Sequence, residues 1–228
     1  MTRPTTPPSS TAERRPVSQH FHLSFLQLHD RQDASTPRFA RHGPFALLLL
    51  LTGSVGWTAS AVLVLERLAA YEDPGHVTSC DVNPWISCGQ VFKTWQASLF
   101  GFPNPLIGVV AFAIVITTGM VLLSGARLGR WYWMGLQAGV TAGFAFVVWL
   151  WSQALYDIYI LCIYCMIVWA MMSPLFILLT IRNLVHGSIK APPAVVQGVA
   201  DWAWTIVGLT WVAAAASVFF RFLPVFIR

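Results

Sequence analysis

Charge-free apolar intervals recur along the chain at 42–65, 94–126, 131–156, 158–181 and 202–220. Each is at least about the 20 residues that a helix needs to cross the hydrocarbon core of a bilayer. Five membrane spans are therefore predicted. The interval 94–126 exceeds one span, and Gly101, Pro103 and Pro105 interrupt it. Proline removes a backbone donor and clashes inside a helix, so a surface loop or half-helix is expected before about residue 105 and the second span after it. The stretch 71–104 is a polar loop, with Glu72, Asp73, Pro74, Gly75, Asp81, Asn83 and Pro84. The expected fold class is an all-α integral membrane protein, a four-helix transmembrane bundle with a fifth transmembrane helix.

Residues 1–43 are rich in Pro, Ser, Thr, Arg and His and lack a sustained apolar period, which reads as a disordered cytoplasmic tail. The first apolar run begins far from the N-terminus, has spanning length and is followed by no evident cleavage site. It is expected to remain as the first span rather than to be removed as a signal peptide.

Composition agrees with this pattern: 56% of the 228 residues are hydrophobic and 10% charged, against about a quarter charged in soluble domains. Lys and Arg resist translocation and collect on the cytoplasmic side. With the N-terminus inside, Arg3, Arg14, Arg15, Arg31, Arg38, Arg41, Arg127, Arg130, Arg182 and Lys190 are cytoplasmic, leaving Arg67, Lys93, Arg221 and Arg228 outside. The two C-terminal arginines run against the rule. The net charge of +5 is then a topology signal, and a nucleic-acid partner is not expected because no basic face is left over.

That orientation places all four cysteines, Cys80, Cys88, Cys162 and Cys165, on the extracytoplasmic side of a cell inner (plasma) membrane, where disulfides persist. Cys162-Ile-Tyr-Cys165 stands at the start of an apolar run. Free N–H groups and the dipole at a helix N-terminus stabilise a thiolate there. The alternative is two small cysteines packed in a membrane helix. Cys80 and Cys88 lie in the polar loop, where a structural disulfide is the alternative to a redox pair. A zinc site is disfavoured because only one pair has the usual ligand spacing, and no metal is expected.

The order of a loop pair followed by Cys162-Ile-Tyr-Cys165 at the head of the fourth span resembles the vitamin K epoxide reductase family, its bacterial homologues most closely. Ser87-Cys88-(x2)-Val91-Phe92, the hydroxyl of Thr94 six positions after the cysteine, and Asn104-(x3)-Gly108 opening the second span add to the resemblance, which covers about residues 45–182. It implies a catalytic bundle over 44–182 with the extracytoplasmic loop 71–104, and a cytoplasmic loop and fifth span over 183–228. It further implies that the bundle holds a quinone, menaquinone or ubiquinone, as electron acceptor beside Cys165. By the same resemblance Cys162 exchanges with Cys88 and Cys80 meets an external dithiol, while Asn104, Thr94 and Trp169 are quinone contacts. Trp169 stands where the family usually has Tyr.

The expected function is a quinone-dependent thiol oxidoreductase that oxidises a separate extracytoplasmic thioredoxin-fold protein of the DsbA type. A quinone acceptor lies well above the roughly −120 to −270 mV of thioredoxin-fold dithiols. The alternatives are reduction of vitamin K epoxide or quinone as the physiological substrate, and a non-enzymatic membrane scaffold with structural disulfides. Other features read structurally. Gly135, Gly139 and Gly143 form a small-residue track suited to close helix packing. Asp157, just over one turn before Cys162, reads either as a proton acceptor or as a helix-starting acid.

Overall fold

The computed structural model describes residues 37–73 and 75–227, and most of the expected tail lies outside them. Helix α1 spans His42–Glu72, α2 Cys88–Phe92, α3 Pro105–Leu123, α4 Arg130–Gln153, α5 Ile163–Val185, α6 Pro193–Asp201 and α7 Ala203–Ile227. There is no strand among the described residues. Five helices, α1, α3, α4, α5 and α7, are long and apolar enough to cross a membrane. The protein is an all-α, multi-pass membrane protein.

The break before the second span falls where the prolines put it: Asn104 is the N-cap of α3 and Pro105 occupies its first turn, the position where a missing N–H costs nothing. The first span is longer than its charge-free interval. Beyond residue 65, α1 continues through Glu66 and Arg67 to Glu72, because both charges find partners in the loop above. At the other end, a 3-10 turn at Arg38–Ala40 buries Phe39 and Ala40 against Leu178, Ile181, Ala203 and Val207. Residues 38–43 are thus ordered, contrary to a tail running to 43. Buried apolar side chains outweigh a Pro- and Arg-rich composition there.

The α1–α3 seam is set by glycines. A Cβ on Gly56 would fall 2.4 Å from Phe112 Cζ, and one on Gly53 would fall 2.8 Å from Ile116 Cγ1. The track on α4 behaves differently, since a Cβ at Gly135 or Gly139 would meet nothing within 4 Å. These two glycines, with Gly143, border an open groove facing Ala111, Ile114 and Val115 of α3. Close packing at Gly135 and Gly139 is therefore not what the structure has; at Gly143 only the Met172 Cε comes near.

Helix α7 docks on a flaw in α5. Pro174 removes the N–H that would have bonded the Ala170 carbonyl. The Trp211 indole N–H of α7 donates to that carbonyl oxygen at 3.2 Å and to Ser173 Oγ at 3.2 Å. Exposed backbone acceptors are costly in lipid, so this bond ties the fifth span to the bundle. Opposite the cysteines, Arg182 is not a loop residue. It is buried in the last turn of α5, its guanidinium 3.6 Å from the Trp133 ring centroid and 4.8 Å from that of Phe45.

Candidate redox site

The fourth span begins later than its apolar run. A π-helical turn, Ala154–Ile158, ends the preceding span, and Tyr159 takes a left-handed backbone conformation, φ +58°. Residues 160–162 are then extended, and α5 starts only at Ile163. Asp157 therefore closes the third span instead of opening the fourth. Its carboxylate accepts a hydrogen bond from the buried side-chain amide of Gln96 at 2.5 Å.

The extended segment pairs with the loop. Leu161 N–H donates to the Trp85 carbonyl at 2.8 Å and Ser87 N–H donates to the Leu161 carbonyl at 3.0 Å, a single parallel bridge. The bridge pairs Ile86 with Leu161, and two residues beyond the first and one beyond the second stand Cys88 and Cys162. Their sulfurs are 3.2 Å apart, and the sulfurs of Cys80, Cys88 and Cys162 all lie within 4.8 Å of one another. Cys80 and Cys88 form a disulfide, while Cys162 and Cys165 are free thiols.

Local chemistry explains the placement. Ser87 caps α2, accepting from Gln90 N–H at 3.1 Å, and donates to Asp81 Oδ1 at 2.5 Å. Asp81 also accepts from Gly89 N–H at 3.1 Å and Thr78 N–H at 2.8 Å. Burial works against ionisation of Asp81, but the bonds from Ser87, Gly89 and Thr78 outweigh it and hold its carboxyl below the usual value. Asp81 thereby clamps both ends of the disulfide loop. Cys162 is the N-cap of α5 rather than a residue inside it, and its sulfur accepts the Cys165 N–H at 3.3 Å. A sulfur acceptor at an orphan helix donor is the arrangement that favours a thiolate.

The loop also covers its own bond. Cys80 and Cys88 are buried with Leu63 and Cys162, packed by Val91, Phe92, Ile163 and Tyr164. The hydroxyls of Tyr164, inside the Cys-x-x-Cys, and Ser79, next to Cys80, are 2.9 Å apart. Ser79 N–H donates to Glu66 at 3.1 Å, and Glu66 pairs with His76 at 2.9 Å.

Below the cysteines lies a largely apolar cavity of about 180 Å³ bordered by Cys162 and Cys165. Cys165 has exposed surface, whereas Cys80, Cys88 and Cys162 are buried. The remaining sequence-derived candidates, Thr94, Asn104 and Trp169, border the same cavity. One amide N–H of Asn104 is committed to the Gln96 carbonyl at 2.6 Å, and its Oδ1 accepts Leu99 N–H at 3.3 Å. An Asn amide has two N–H bonds, so one remains for a ligand. Thr94 Oγ1 donates to the Val91 carbonyl at 2.8 Å, and the Trp169 ring stacks on Trp151 at 5.1 Å.

Sequence reasoning missed Arg67 and Gln96. Both are buried at the cavity wall, and Arg67 donates to the Ala97 carbonyl at 3.0 Å and lies 5.5 Å from the Phe92 ring centroid. No local signal singles them out: Arg67 follows Glu66, and Gln96 lies among Lys93, Thr94 and Ser98, so each is one polar residue among several.

The sequence profile of the vitamin K epoxide reductase family matches residues 47–180, more than half of the chain. The chain belongs to that family. No curated protein matches it individually. Membership in the vitamin K epoxide reductase family makes the chain a membrane oxidoreductase of thiol chemistry, in a family associated with quinones. The matched segment carries α3, α4 and both cysteine pairs but stops short of α7.

Proposed function

We propose that this protein is a quinone-linked thiol oxidoreductase that introduces disulfides into a separate thioredoxin-fold protein outside the cytoplasm. The observation that carries this reading is the 3.2 Å approach of Cys88 Sγ to Cys162 Sγ, which joins a loop disulfide to a pair of thiols at an apolar cavity. In the proposed reaction the partner's dithiol reduces Cys80–Cys88 and leaves as a disulfide. The Cys88 thiolate attacks Cys162 in a Cys162–Cys165 disulfide, expelling Cys165, which takes up a proton. Cys80 then attacks Cys88, re-forming the loop disulfide and releasing Cys162. A loop disulfide with Cys162 and Cys165 free, the state in the structure, is what these steps leave.

The cavity suits a quinone head group: an apolar void of about 150 Å³ already takes up one aromatic ring, and this one is about 180 Å³. When bound, a quinone accepts two electrons and two protons. Cys165 presents its thiol at the cavity, Asn104 has an N–H left to offer a carbonyl oxygen, and the stacked Trp151 and Trp169 help exclude water. Thr94 keeps its hydroxyl at the wall.

Cys165→Ala tests the order of transfer. With Cys165 gone, the Cys162 thiolate is expected to attack the Cys80–Cys88 disulfide at Cys88 and expel Cys80, and alkylating the released Cys80 leaves a Cys88–Cys162 mixed disulfide, identified as a cross-linked peptide by mass spectrometry. Cys162→Ala is expected to give none. A Cys88–Cys165 peptide in Cys162→Ala would reverse the roles of the two thiols.

A further inference from the structure

Arg221 lies on the fifth span, outside the family-matched segment, and is one of the two C-terminal arginines that run against the charge rule. Its Nε–H donates to the Leu155 carbonyl at 2.9 Å, an acceptor in the π-helical turn that ends the third span. Its guanidinium stands over the Tyr159 ring at 4.3 Å and near the Tyr156 ring at 5.7 Å. Around it, Phe222 and Val218 of α7 pack with Leu155, Leu161, Ile86, Trp151, Ala154 and Met166.

Tyr159 is the only residue other than glycine with positive φ among the described residues. That conformation is disfavoured for a bulky side chain and persists only where surroundings impose it. Two residues later Leu161 makes both hydrogen bonds of the bridge to Trp85 and Ser87, and the next residue is Cys162. The turn at Tyr159 therefore sets where the bridge, and with it the 3.2 Å sulfur contact, can form.

We infer that Arg221 is a positioning residue for thiol exchange: by holding the Leu155 carbonyl and the Tyr159 ring it fixes the left-handed turn that brings Cys162 to Cys88. The fifth span is then part of the redox device. The inference rests on the exchange proposed above, in which a disulfide bond passes between Cys88 and Cys162.

The test uses the full chain in the Cys165→Ala background, starting from the loop disulfide and adding a thiol-alkylating reagent. The Cys162 thiolate attacks Cys88, the Cys88–Cys162 bond forms, the Cys80–Cys88 bond breaks, and Cys80 leaves as a thiolate that is alkylated. The initial rate of cross-linked peptide is measured by mass spectrometry. Adding Arg221→Ala is expected to slow it about tenfold, the scale of a left-handed penalty no longer held in place. Adding Tyr159→Gly as well is expected to restore it, because glycine adopts the turn unaided. Tyr159→Gly without the arginine change should leave the rate at the parent value, which keeps the test independent of how well the Arg221 variant folds.

Absence of the cross-link in the Cys165→Ala parent would sink the exchange reading itself. A parent that cross-links while Arg221→Ala does so equally fast would overturn the positioning role. So would a loss that Tyr159→Gly fails to restore, or a loss caused by Tyr159→Gly alone.

Discussion

Asp81 shows how much of the site hangs on one half-buried loop carboxylate. Its two oxygens receive the Thr78 and Gly89 N–H groups and the Ser87 hydroxyl, joining the segment before Cys80 to the segment around Cys88. Because its folded pKa lies below the ordinary value, the stability it contributes is present above the unfolded value and is lost as pH falls through the folded one. Thermal stability due to Asp81 is therefore expected to be constant from about pH 5 to 8 and to decay below about pH 4. Asp81→Asn, which removes the charge-assisted acceptor, is expected to cost about 1–3 kcal/mol at pH 7 and to flatten the acid limb. Melting curves from pH 3 to 8 check both. A variant whose melting temperature tracks the parent at every pH would contradict the role given to this residue.

The helices were legible in outline and less so at their joins. Apolar run length located all five spans, and Pro105 located the start of the second, because both are local signals. The beginning of α5 was not legible from its own sequence. Residues 158–162 look as apolar as the helix that follows, yet Leu161 is taken by a partner 76 positions earlier, Trp85, and a bridge wins over a helical turn. The same limit applies to glycine. Gly53 and Gly56 carry a small-residue signature no stronger than that of Gly135, Gly139 and Gly143, and sequence does not say which helix face meets another helix. Space decides it: a Cβ has 2.4 Å to Phe112 at Gly56 and nothing within 4 Å at Gly139. Gly56→Ala is expected to destabilise by about 1–3 kcal/mol through overpacking. Gly139→Ala is expected to be neutral or to gain up to about 1 kcal/mol from helix propensity. Denaturation in detergent micelles would show this order, and the reverse order would mean that the α1–α3 seam is not the tight one.

In the molecule as a whole, every cysteine gathers at one end of the bundle, with the disulfide covered by its loop and both free thiols bordering an apolar cavity. The cysteine order was readable because a short motif carries it, and Asn104 and Thr94, picked out by the same kind of motif, border the cavity. The polar partners Arg67, Gln96 and Ser79 were not readable, since each acts through a fold contact far along the chain. Electron flow from loop to cavity is the central claim, and anaerobic quinol formation by the purified protein tests it most directly. With a thioredoxin-fold dithiol protein and a quinone, the protein is expected to produce quinol, followed by absorbance. Cys80→Ala is expected to lose this activity with the protein dithiol while a small dithiol, acting on Cys162–Cys165 directly, still supports it. No quinol from the unaltered protein, or equal loss with both reductants, would contradict the account.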